Sequence, residues 1–146
     1  MLGSVDFTAN LTENSIDTVV IADLEAGIGT LTRLSAHSVD AVVVVVEPTP
    51  RSIDVAQRAV ELAQERQQGR VVIAANRITC DEDVERIALG IPGFEMVVVP
   101  YDAAIMDADR QGVSPLDSAP NSPGVVALKA LAQLLRPDQP AAPSPG

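Results

Sequence analysis

The sequence predicts an α/β fold, a doubly wound and mostly parallel sheet with helices on both faces. Three observations carry this prediction. Short β-branched runs alternate with helical patterns in the order β-α-β-α-β-α-β-α-α. The connections between them are short. The run Asp40 to Pro48 contains five consecutive valines, too uniformly apolar for a sheet with one wet face, and reads as a central parallel strand covered on both sides.

The elements follow in order. Residues 1–15 are a lead-in with no clear period, holding at most a short strand around Val5 to Phe7. Val19, Val20 and Ile21 are β-branched and predict a first buried strand ending near Asp23. Ile28, Leu31 and Leu34 have three-residue spacing and predict a short helix up to about His37. After the valine strand, Thr49 can cap a helix with Pro50 at its first position. Ile53, Ala56, Val60 and Ala63 then share one face, and Asp54 and Arg58 are spaced to pair on the other.

A third strand is predicted over Val71 to Ala75, stopping at Asn76, and Thr79 is expected to cap the acidic helix DEDVERIAL. A fourth runs from Glu95 to Val99 and ends at Pro100. A helix over about Ala103 to Arg110 is closed by Gly112. Pro123 starts a last helix whose apolar stripe is Val125, Leu128, Leu131, Ala132 and Leu135. Residues 137–146 are a Pro/Ala tail expected to be disordered, which leaves 16–136 as the domain.

Composition narrows the function. Ten basic against twenty acidic residues give a formal charge of −10, unsuited to general binding of nucleic acid or of anionic membrane. Two Phe, one Tyr and no Trp argue against a base-stacking platform for single strands. The single cysteine, Cys80, excludes an intramolecular disulfide and fits a reducing cytoplasm. The longest apolar run is too short to span a bilayer.

The residues with chemical potential gather around TVVIADLEAGIGT, residues 18–30. Asp23 stands at the carboxyl end of the expected first strand, and Gly27 follows four residues later. Ligands of open parallel sheets bind beyond the carboxyl ends of strands. A carboxylate there suits a metal-bound water, and a glycine N–H suits a terminal phosphate. An acidic turn without a ligand fits the same residues. Asn76 ends the third strand with an amide that can donate to and accept from an adenine edge at once, or that simply caps a turn. His37 has no cysteine near it in sequence and reads as a helix-terminal polar residue. Cys80 reads as a plain thiol, and the acidic run beside it as a solvated face. A phosphoacceptor receiver domain shares the layer architecture, but Glu47 and Tyr101 stand where it would need Asp and Lys.

Three segments together resemble the MinD/ParA-like P-loop ATPases. IADLEAGIGTLTR resembles their Walker B strand and switch segment, VVIAANRI their adenine-contacting strand, and VVVPYDAAIMDADRQGVSPLD the strand and loop that close over the base. DLEAGIGTL followed by VVVVVEPTPRSIDVA is most similar to the branch of the carbon monoxide dehydrogenase accessory ATPases. The resemblance implies ATP or ADP with Mg²⁺, Asp23 acting on the metal through water, and Gly27 donating to the γ-phosphate. It implies Asn76 at the adenine edge and Pro100 and Asp102 lining the adenine pocket. Thr79 stands where a guanine-selecting pattern would have Asp, which favours adenine.

The sequence departs from the family in having no GK[ST] phosphate loop, and its one lysine, Lys129, lies in the last helix. The cysteine pair of the nickel-handling relatives is also missing. The strand that carries the phosphate loop would neighbour the Walker B strand, so an unpaired sheet edge is expected. The resulting expectation is a truncated or degenerate ATPase that keeps half of an adenine-nucleotide site and acts in the cytoplasm as a regulatory or metalloenzyme-maturation partner, with possible homodimerisation. Two alternatives stand beside it: an ATPase completed in trans by a chain carrying the loop, and an interaction protein that binds no nucleotide.

Overall fold

The computed structural model describes residues 19–23 and 39–136. The expectations for the lead-in, the helix before His37, Gly27 and the tail lie outside those residues. Three parallel strands form the sheet in the order β1 (Ala41–Val46), β2 (Arg70–Ile78), β3 (Glu95–Pro100). Five helices accompany them: α1 (Pro50–Glu65), α2 (Asp81–Gly90), α3 (Ala103–Gln111), the single turn α4 (Pro115–Ser118) and α5 (Pro123–Leu134).

The α1 helix forms as its sequence requires. Thr49 Oγ1 accepts from Ser52 N at 3.2 Å, Pro50 begins the first turn, and Ile53, Ala56, Val60 and Ala63 are all buried. Asp54 and Arg58 pair at 3.1 Å in full solvent, which is worth only about 0.3–0.5 kcal/mol. Residues alternate between the two faces of the sheet. Val44, Val46, Ile73 and Ala75 pack with α1 residues and with Ile87 and Ile91 into one core. On the register Val44↔Ile73 and Val46↔Ala75, these side chains share a face. Val72, Ala74 and Val99 are buried on the opposite face, where α5 packs on β3 through the fully buried Val125. Helices thus cover both faces. Arg70 ties the amino ends together, pairing with Glu95 at 3.1 Å and donating to Leu134 O at 3.2 Å.

Four local expectations are corrected. Residues 19–23 form no strand, and Val19 and Ile21 are 73% and 86% exposed. β-branched residues favour a strand only where a neighbour takes up their backbone hydrogen bonds, and residues 19–23 have no strand partner among the described residues. The valine strand β1 is an edge among the described residues, and Val45 is 62% exposed, because only one face of that strand is covered there. β2 runs past Asn76 to Ile78 through a bulge, with three β2 steps from Ala75 to Ile78 opposing two β3 steps from Val98 to Pro100. The α2 helix is capped by Cys80, not Thr79. The Thr79 N–H and hydroxyl instead donate to Asp83 Oδ2, at 3.0 and 2.7 Å.

The last helix only partly buries its stripe. Val125 is inaccessible and Leu131 and Leu135 are half-buried, but Leu128 is 42% exposed and Ala132 is exposed.

Candidate functional site

The carboxyl ends of β2 and β3 bring several of the expected residues together. Asn76 is half-buried inside β2 at the bulge. The bulge has a packing cause. Strict alternation from Ile73 and Ala75 would send Arg77 into the core under α1 and α2. The extra residue keeps Arg77 outside and lets Ile78 join that core. Arg77 holds φ 58°, a left-handed conformation unusual for a side chain of its size. Its guanidinium reaches Glu47 at the end of β1, at 3.5 Å.

Pro100 is half-buried at the end of β3, paired in register with Ile78. Tyr101 N donates to Ile78 O at 2.9 Å, so the β2–β3 ladder continues one residue past Pro100. Asp102 follows as the N-cap of α3, its Oδ1 accepting from Ala104 N at 2.9 Å. Its Oδ2 accepts from Gly124 N at 2.8 Å, which fastens the first turn of α5 to the end of β3. The Ser122 hydroxyl beside it, then the Gly124 and Ala104 N–H groups, hold the Asp102 carboxyl below the usual range. Ser122 Oγ is buried yet makes no hydrogen bond of ordinary geometry, so the hydroxyl acts by proximity more than by a directed bond. Gly124 leaves room for this contact: a Cβ there would lie 2.7 Å from Ile105 Cδ1 and 2.9 Å from both Cβ and Oδ2 of Asp102, so these side chains would have to shift.

Asn76, Pro100 and Asp102 therefore share one end of the sheet. Asp102 does so mainly as a clamp between two helices, since both oxygens already accept backbone N–H bonds. Sequence reasoning missed Arg77 and Tyr101 at this rim. The NR dipeptide after a β-branched run was the one available signal for the first, and the second had none beyond being the only tyrosine.

Asp23 is exposed at the end of its described segment, and Gly27 lies outside the described residues. Among the described residues no three His, Cys, Asp or Glu side chains converge as a metal site. Lys129 is exposed on α5, with Nζ donating to Pro120 O at 2.8 Å. Among the described residues, Asn76, Pro100 and Asp102 stand at the carboxyl end of the sheet, while Lys129 lies on the last helix, α5. Also among them, no helix is long and apolar enough to cross a membrane.

No family model matches the chain. Two curated relatives are similar to it. One is the carbon monoxide dehydrogenase accessory protein CooC of Rhodospirillum rubrum, 33% identical over 102 residues, covering 69% of this chain and 39% of the relative. The other is an uncharacterized ATP-binding protein of Methanocaldococcus jannaschii, 31% identical over 103 residues, covering 66% of this chain and 38% of the relative. The chain spans about two-fifths of the length of these relatives, as the coverages of 39% and 38% state.

Proposed function

We propose that this chain is a MinD/ParA-like adenine-nucleotide-binding domain whose described residues form the base side of the site. In this reading it is the adenine side of an ATPase-like protein that acts as a regulatory or maturation partner of a metalloenzyme in the cytoplasm. The observation that carries it is the convergence of Asn76, Pro100 and Asp102 at the carboxyl ends of adjacent parallel strands, where such sheets bind ligands. The name of the Methanocaldococcus relative supports ATP as the nucleotide, and that of the Rhodospirillum relative supports a metalloenzyme client of the carbon monoxide dehydrogenase kind.

Within this reading the Asn76 amide reads the adenine edge, donating to a ring nitrogen and accepting from the exocyclic amine. Pro100 offers an apolar wall. Asp102 holds β3, α3 and α5 in the geometry that keeps that wall in place. Asp23 would act on Mg²⁺ through water and Gly27 would donate to the γ-phosphate, once a phosphate loop faces them. Mg²⁺ would neutralise phosphate charge, and no catalytic step is assigned to the described residues. Asn76→Ala removes both hydrogen bonds to the base and should weaken ATP and ADP binding about ten-fold. Isothermal calorimetry checks this, and unchanged affinity would remove the role of Asn76.

A second reading has its own observation. Among the described residues β1 is an edge strand with Val45 exposed, which suits a strand and helix supplied by another chain that carries the phosphate loop. ATP hydrolysis that appears only on mixing with such a chain would favour this reading. Hydrolysis equal to that of the added chain alone would oppose it.

A further inference from the structure

Among the described residues, the rim beside Asn76 contains one aromatic ring, that of Tyr101, and it is exposed. Tyr101 N–H extends the β2–β3 ladder by bonding Ile78 O at 2.9 Å, so its backbone is held in strand geometry next to the bulge. Alternation from Val97 and Val99 puts Tyr101 on the face of Val72 and Ala74, and its bond to Ile78 sets it beside the bulge that contains Asn76. The residue is 54% exposed, although most of a tyrosine's surface is apolar and gains from being covered. No other described aromatic lies at this end: Phe94 precedes β3 at the opposite end and packs against the α1–α2 core. Asp102, one residue on, has both carboxylate oxygens bonded to backbone N–H groups, so it is a poor partner for a base.

We propose that Tyr101 is the base-stacking residue of the site, its phenol ring lying against the purine whose edge Asn76 reads. This inference rests on the adenine-nucleotide reading above. It assigns recognition of the purine to two residues of different chemistry: an amide that selects the edge and a ring that covers the face. Base-on-aromatic stacking tolerates any base, so Tyr101 adds affinity while Asn76 adds selectivity. The phenol hydroxyl plays no part, and Phe should replace Tyr without loss.

The chain has one tyrosine and no tryptophan, so its tyrosine emission reports Tyr101 alone. The full chain is titrated with adenosine, AMP and Mg·ATP, with excitation where adenine is transparent and with calorimetry in parallel. Inorganic triphosphate serves as the probe without a base. The expected result is saturable quenching by the adenine compounds, at the concentrations where heat is released, and none by triphosphate. Tyr101→Leu should weaken nucleotide binding roughly ten-fold and Tyr101→Phe should leave it unchanged. Circular dichroism confirms that each variant is folded, as expected at an exposed position. Heat without quenching, or full affinity in Tyr101→Leu, overturns the stacking role and leaves the nucleotide reading standing. An absence of both heat and quenching at millimolar nucleotide overturns both.

Discussion

Asp83 and Asp102 each sit among polar groups that favour the charged form. The Thr79 hydroxyl and N–H lower the Asp83 pKa, and the Ser122 hydroxyl with the Gly124 and Ala104 N–H groups lowers that of Asp102. A carboxyl whose folded pKa is lowered contributes stability that is fully present above its unfolded value, near about 4, and is lost as pH falls through the lowered folded value. Thermal melts should therefore show Asp83→Asn less stable than the parent at neutral pH, with the gap closing below about pH 4. A gap that persists unchanged at low pH would mean that the carboxylate charge is irrelevant. Arg77 makes the opposite kind of prediction. Its left-handed φ is a strain that glycine does not feel, and its ion pair with Glu47 is exposed on both sides. Arg77→Gly should leave stability unchanged or raise it by up to about 1 kcal/mol in urea titrations. A loss larger than that would show that the guanidinium supports the bulge.

The elements differ in how far local sequence determines them. The α1 helix was fully legible: the Thr49–Pro50 start, the buried face and the exposed Asp54–Arg58 pair all depend on neighbours within a turn. Gly112, at φ 65°, ends α3 for the same local reason. The bulge of β2 was not legible, because it depends on which side chain the α1–α2 core accepts after Ala75. The segment Val19 to Asp23 fails as a strand for a related reason. Its β-branched run satisfies local preference, but strand structure needs a partner edge. The role of Asp102 depends on Gly124, 22 residues away, so the sequence placed the residue at the site without revealing what its carboxylate bonds. At this scale Gly124→Ala is the sharpest test. Its Cβ would collide with Ile105 and Asp102 and should cost about 1–3 kcal/mol in chemical unfolding by lifting α5 from β3. A neutral effect would show that α5 docks independently of the clamp.

The described residues form a small sheet with one well-packed core and, among them, one uncovered edge at β1. Ile73 is fully buried at its centre, and Ile73→Ala should cost about 2–5 kcal/mol, a large share of the 5–15 kcal/mol that holds a domain together. That edge lies at β1, where the valine run predicts a central strand and Val45 is exposed among the described residues instead. Five valines carry the pattern of a strand covered on both faces, and composition alone does not reveal that the covering elements are missing from the described residues. In the proposed reading the base side of the site needs none of them. Asn76, Pro100, Tyr101 and Asp102 all come from β2, β3 and the turn after β3. The central claim is that these residues suffice to bind an adenine nucleotide. Isothermal calorimetry of the full chain with ATP and ADP, with and without Mg²⁺, tests it most directly. The account predicts saturable heat with both nucleotides that depends only weakly on Mg²⁺, since the base carries most of the contact. No heat at millimolar nucleotide would contradict it.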